Sequence, residues 1–396
     1  MSSSGPSTPR DADGTPEPDP TAEPVAPAGS LEPAPPLTPP NPTTLGADTD
    51  SPGPWVAAPQ VRPGASTFTI EGRAAPGLFV IGWLATLLGF GAVLIGALSG
   101  GTLTSTLILG VGFLLLTVGL IAGAGSQGLE RRARGDLPYR GPSPFLVFAA
   151  AIPISILALL VAVIPLQALG IPVDSPFGRL LSVLLQTVVY VLLLRLLVVD
   201  TGALDWAEMG LRRLDRTAFG DMAKGALWAV PVIAVTIPIA AILGSLFTVT
   251  PESPLPPAGE TSGFALNLIA GAILAPLGEE ILFRGFATTA WVRGLGERRG
   301  IVRGALFFAL VHVLTISGGT AGEAFQLALI GFATRIPVAL ALGLLFVRGF
   351  SIDVPGLGRI SARAGSIWVP FGLHAAFNGI LLILAEAATR AGVPGV

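Results

Sequence analysis

The chain of 396 residues holds just two histidines, His312 and His374, and both fall inside apolar stretches rather than on loops. His312 closes Phe308-Ala309-Leu310-Val311-His312, and His374 opens His374-Ala375-Ala376-Phe377-Asn378. A third apolar stretch carries Leu277-Gly278-Glu279-Glu280-Ile281-Leu282-Phe283-Arg284-Gly285. A charged side chain at mid-bilayer costs about 2.5–3.5 kcal/mol on insertion scales, so each such group demands a partner or a function. Glu280 and Arg284 are four apart, on one helical face, and can form an ion pair. Glu279 is turned about 100° from Glu280 and is free to face a different neighbour. His374 and Asn378, also four apart, project together. Counted at about 1.5 Å per residue from the Arg-bearing helix ends, Glu279 lies roughly 16 Å deep, His312 roughly 15 Å and His374 roughly 12 Å. One acid, two imidazoles and an amide are thus expected at one level on three helices.

Two chemistries suit that set. Glu279, His312 and His374 could hold a zinc ion with an open position for water. Alternatively, Glu279 could act directly as general base on a water, with His and Asn donors stabilising a tetrahedral oxyanion. Both are hydrolytic, both suit peptide bonds, and neither needs a nucleophilic side chain. The bland alternatives are a packed Glu280–Arg284 ion pair and histidines that only hydrogen-bond between helices. Two histidines level with a further carboxylate and an amide favour a site.

The elements that must position these groups follow from composition. Of the residues, 51% are hydrophobic and only 12% charged, against roughly 25% charged in soluble domains. The net charge of −2 gives no support for nucleic-acid binding, which requires a basic face. The absence of cysteine removes disulfides, thiolate zinc sites and cysteine nucleophiles. A membrane span needs about 20 mostly apolar residues. Nine candidate runs meet or approach this: 77–98, 102–124, 143–169, 179–199, 223–248, 263–289, 302–316, 325–347 and 366–387. The seventh is short. No strand-like alternation competes, so the fold expected is an all-α polytopic membrane protein of about nine transmembrane helices. Residues 1–62 differ: they hold sixteen of the 36 prolines, and the first 60 carry eight acidic residues against Arg10 alone. Such a segment cannot bury enough apolar surface to fold and reads as a disordered tail without the features of a signal peptide. The organisation expected is therefore tail (1–62), N-terminal membrane helices (63–262), a core bearing the polar motifs (263–387) and a short end (388–396).

Arginines orient the bundle. They gather in the joints holding Arg131, Arg132, Arg134 and Arg140, then Arg212, Arg213 and Arg216, then Arg293, Arg298 and Arg299, then Arg348, Arg359 and Arg363. Joints 171–178 and 249–262 carry no Arg or Lys. The alternation places the N-terminus in the cytoplasm and the C-terminus outside, with Arg390 a weak contrary vote. Twenty-two arginines against the single Lys224 hint at a GC-rich bacterial genome, hence a bacterial inner membrane.

Other proteolytic designs fail on residues. Val311 and Val313 flank His312, so there is no HExxH helix; every Asp lies in the tail or a joint; and no GxSG motif is present. Arg335 sits in the middle of the eighth run beside Pro337, where it could neutralise the carboxylates or contact an acidic substrate group; a structural partnership is the stronger expectation. Arg195, near a helix end, can snorkel to the interface.

At Glu279-Glu280…Arg284, Phe308…His312 and His374…Asn378 the sequence resembles the CPBP intramembrane proteases, which include the type II CAAX prenyl endopeptidases and bacteriocin-processing relatives. Their EExxxR, FxxxH and HxxxN motifs occur here complete and in order. Trp206-Ala207-Glu208-Met209-Gly210-Leu211-Arg212 is similar to a short Gly-Leu segment often preceding the family core. The resemblance implies that Glu279 activates the water with Glu280 and Arg284 in support. It further implies that His312 positions that water or binds metal, and that His374 and Asn378 form an oxyanion-stabilising pair. Zinc dependence is open, because both metal and metal-free glutamate mechanisms are argued for the family. The long acidic tail and extra early spans depart from the family pattern.

The resulting expectation is an intramembrane endopeptidase acting on a peptide or membrane-associated protein, with the lipid bilayer as its other partner and no nucleic acid. Prenylated CAAX substrates are not expected in a bacterium, so the family name describes kinship rather than substrate. The rivals are a non-catalytic membrane scaffold or immunity protein, against which the intact motifs count, and a proton-coupled transporter. The latter would favour inverted-repeat symmetry between the halves, whereas the polar groups cluster in the last four runs.

Overall fold

The computed structural model describes residues 70, 72–247, 249, 257–314, 316–354 and 358–392. The expected disordered tail, 1–62, lies outside the described residues, as do 393–396 of the expected C-terminal end. Each of the nine apolar runs forms a helix. They are α1 (Pro76–Leu98), α2 (Leu103–Arg134), α3 (Pro144–Ala168), α4 (Pro176–Val199) and α5 (Arg216–Leu246). Then follow α6 (Thr261–Leu295), α7 (Glu297–Val311), and α8 (Ala321–Arg348) and α9 (Trp368–Arg390). Eight are long and apolar enough to cross a membrane. The exception is α7, the short run, at 15 residues. The protein is an all-α polytopic membrane protein.

Local chemistry sets the helix starts. Proline occupies the first turn of α1, α3 and α4, where its missing N–H would have had no partner. Hydroxyls of Thr102, Ser175 and Thr320 accept hydrogen bonds from backbone N–H groups three residues on, capping α2, α4 and α8. At the other end of α2, Arg131, Arg132 and Arg134 lie in the last turn and Gly135 takes a left-handed φ of 76°, a common helix stop.

Between α8 and α9 the chain makes a short antiparallel hairpin, β1 (Phe350–Val354) and β2 (Gly358–Ala362), with Ile352 opposite Ile360. This corrects the expectation of no strands. The alternation Phe350-Ser351-Ile352-Asp353-Val354 has period two, but it spans one joint and is too short to stand out beside runs of 20 residues.

Helix packing differs along the chain. The contact between α1 and α2 runs over glycines spaced by seven, Gly82, Gly89 and Gly96 facing Gly112 and Gly119. A Cβ at Gly89 would lie 2.6 Å from Leu116 N, and one at Gly112 2.7 Å from Val93 N. Backbone meets backbone there. On the outer face, Leu84, Leu87, Leu88, Phe90 and Leu98 are exposed, as lipid-facing side chains should be. The main core is instead aromatic: Phe148, Phe283, Phe286, Trp291, Phe307 and Phe308 pack between α3, α6 and α7. The polar motifs sit at the edge of this cluster.

Candidate active site

The helix that carries both acids is not a regular α-helix. In α6 the backbone takes wider π-helical turns over Ile269–Leu274 and again over Glu280–Thr288, the i→i+5 pattern that frequently marks functional sites. Thr288 and Thr289 donate their hydroxyls to the carbonyls of Phe283 and Arg284, five residues back, which helps to satisfy the widened turn. Gly278 opens the approach to α4: a Cβ there would lie 2.7 Å from Thr187 Oγ1, and that hydroxyl donates to Leu274 O at 3.2 Å.

The turn presents Glu280 to a closed interior. Glu280 is fully buried and Arg284 nearly so. Arg284 Nη1 donates to Glu280 Oε1 at 3.1 Å, as the spacing of four predicts. The same carboxylate oxygen lies 2.8 Å from His374 Nδ1, joining α6 to α9. A buried pair of charges gives little net stability but is costly to break, because removing one partner strands the other.

Glu279 faces another way, toward a partly open cleft. Its side chain is 20% exposed and that of His312 24%. Glu279 Oε2 lies 3.4 Å from His312 Nε2 and 3.7 Å from His374 Nε2. That oxygen is shielded by protein and makes no hydrogen bond with the described residues. His312 caps the C-terminus of α7, its Nδ1 donating to Phe308 O at 2.7 Å, so in the neutral ring Nε2 keeps its lone pair for the cleft.

Phe308 is the binding surface common to these groups. The Arg284 guanidinium carbon is 4.2 Å from its ring centroid, a cation–π distance. The ring centroids of His312 and His374 lie 4.3 and 5.7 Å away. In the sequence Phe308 is marked only as a motif position, and its spacing of four from His312 is the signal that both share a face.

Glu279, Glu280, Arg284, His312 and His374 are therefore brought together from three helices. Asn378 takes a different position. Its Nδ2 donates to Gly271 O at 2.9 Å, a carbonyl in the first widened turn of α6, and among the described hydrogen bonds it has none to His374. Nearness does not by itself make a metal cage: among the described residues no three His, Cys, Asp or Glu form a group that could hold a metal ion. The zinc expectation for Glu279, His312 and His374 gains no support from this arrangement.

The segment 206–212 braces the cluster from one end. Glu208 Oε1 accepts from Arg293 Nη2 at 2.7 Å, Gly210 O accepts from Ile367 N, and Trp368 Nε1 donates to Arg212 O. Gly210 has φ of 78°, and a Cβ there would lie 2.9 Å from Gly365 O. One loop thus ties the end of α6 to the start of α9. Arg195, expected to snorkel, is exposed and sits 3.7 Å from Asp200.

Residues 261–380 match the family described as Rce1-like, type II CAAX prenyl endopeptidase Rce1-like. All three motifs lie in this segment. No curated protein and no solved structure matches the chain.

Proposed function

From the match of residues 261–380 to the type II CAAX prenyl endopeptidase Rce1-like family, we propose that the protein is an intramembrane endopeptidase using a glutamate-activated water. One observation carries the reading: Glu279 Oε2, without a hydrogen bond of its own, stands within 4 Å of Nε2 on both histidines of the chain.

A water in the cleft beside Glu279 and His312 can donate one hydrogen to the carboxylate and the other to the His312 Nε2 lone pair, aiming an oxygen lone pair at a peptide carbonyl carbon. Glu279 takes the proton as the O–C bond forms, then delivers it to the amide nitrogen as the C–N bond breaks. His374 serves the developing oxyanion. In this scheme the donor is the doubly protonated His374 ring, with Nδ1–H held by Glu280 and Nε2–H directed toward Glu279. A donor fixed before the reaction needs no reorganisation in the transition state. Asn378 acts at one remove in this scheme, fixing the carbonyl of the widened turn before Glu279. The substrate class is a peptide or a membrane-associated protein. The Arg-rich joints support a bacterial cytoplasmic membrane with the N-terminus inside.

The test is cleavage of a peptide library by the purified protein in lipid nanodiscs. Glu279→Gln is expected to leave insertion and thermal stability intact while lowering turnover by about 10²–10⁴-fold; undiminished turnover overturns the assignment of the base. A chelator arm is expected to leave turnover unchanged. Loss on chelation with recovery on added zinc would instead favour the zinc form of the site, with Glu279, His312 and His374 as ligands.

A further inference from the structure

Arg335 lies at the middle of α8, about 20 Å of helical rise from either end, and is half-buried. Its Nη1 donates to Gly331 O of its own helix at 2.8 Å. Gly331 makes the room for this pose: a Cβ there would lie 3.1 Å from that nitrogen, 3.0 Å from Ile316 Cδ1 and 3.3 Å from Val313 Cγ1. The guanidinium is therefore folded back onto its own helix at Gly331, a position that also faces Ile316 and Val313, the latter next to His312. The charge of Glu279 is close enough to act on it. Yet among the described residues no carboxylate lies within ion-pair distance of Arg335, and its Nε and Nη2 make no hydrogen bond.

The depth of this position makes it informative. Arg335 holds a fixed positive charge at mid-helix with no carboxylate in ion-pair range among the described residues, a costly placement without an anion. The edge left over by the Gly331 bond, Nε with Nη2, is the planar fork that matches a carboxylate in bidentate fashion. We propose that Arg335 is a specificity-determining residue that grips a carboxylate of the substrate, either the chain-terminal carboxylate or an Asp or Glu side chain. This deepens the endopeptidase reading and rests on it.

The experiment uses three pools of dodecapeptides with the same randomised interior. One ends in a free carboxylate, one is amidated and free of Asp and Glu, and one is amidated with a Glu next to last. Cleavage by the nanodisc protein is read by mass spectrometry, and binding of labelled pools to Glu279→Gln by fluorescence anisotropy. One carboxylate-bearing pool should exceed the neutral amide by about 10- to 100-fold in kcat/KM, as for hydrogen bonds to charged groups. Which pool it is identifies the source of the carboxylate. In Arg335→Gln that ratio should collapse toward one, chiefly through KM, and Arg335→Lys should restore part of it. Equal cleavage of all pools by the unaltered protein overturns the Arg335 proposal and leaves the endopeptidase reading standing. Carboxylate-dependent binding that Arg335→Gln abolishes, with no pool cleaved, overturns the endopeptidase reading while keeping Arg335 as the anion contact.

Discussion

The α1–α2 pair and the α6–α7–α9 cluster meet one problem, holding helices together in a solvent as apolar as themselves, in opposite ways. The first rests on a glycine seam: glycines every seven residues let the two backbones touch, so dispersion does much of the work. The second buries Glu280, Arg284 and His374 in one hydrogen-bonded chain and distorts α6 to do so. Close packing tolerates no added volume but holds no chemistry. The polar chain is fragile to any unpaired charge, yet it fixes an imidazole beside Glu279. Division of labour within one bundle follows.

Removing one member of the polar chain tests the contrast most severely. Arg284→Met should strand the Glu280 carboxylate and cost about 3–5 kcal/mol, read as loss of inserted, monodisperse protein and of turnover together. A folded variant with wild-type thermal stability would show that Glu280 is satisfied without Arg284 and that the two regions are less different than they look. Next in size is the glycine seam. A Cβ at Gly119 would collide with Thr86 N and Oγ1, so Gly119→Leu should lower stability by about 1–3 kcal/mol through overpacking. Below the melting transition it should leave kcat nearly unchanged, since α1 and α2 supply no residue of the site; a matching fall in kcat would tie the hairpin to the chemistry.

The smallest effect belongs to the brace outside the membrane. The hydrogen bond from Arg293, with a backbone N–H from Asp205, holds the Glu208 carboxyl below its ordinary range. A depressed carboxylate stabilises the fold above its unfolded pKa, and that contribution fades as pH falls through the folded value. Both side chains are more than a third exposed or close to it, so screening limits the contribution to about 0–1 kcal/mol. Glu208→Gln should therefore lower the melting temperature only slightly at neutral pH and not at all under acid conditions. An equal shift at both would show that the brace works by packing.

Hydropathy made the helices readable in advance because each apolar run is far longer than chance, and the expense of charge in lipid singled out Glu279, Glu280, His312 and His374. The backbone was another matter. A π turn shifts hydrogen bonds by one residue without a matching side-chain pattern, so nothing in Ile269–Leu274 or Glu280–Thr288 announced it. Asn378 was paired with His374 because helical spacing puts them on one face; the partner it meets, Gly271 O, is made available by that unannounced turn. Phe308 stood in the sequence only as a motif position; it is core, and also the surface against which Arg284 and both imidazoles rest. The hairpin at Phe350–Ala362 fell below the length at which alternation can be distinguished from a joint.

Helix α7 stops at Val311 after 15 residues, about 22 Å of rise, while the hydrocarbon layer is about 30 Å thick. Lipid beside it must thin, or polar chain must sink into the layer, to cover the difference. One terminus of this short helix is the one His312 caps. The hydrolysis proposed above needs hydration to reach a site inside the membrane, and a helix this short is a means of bringing the aqueous phase inward.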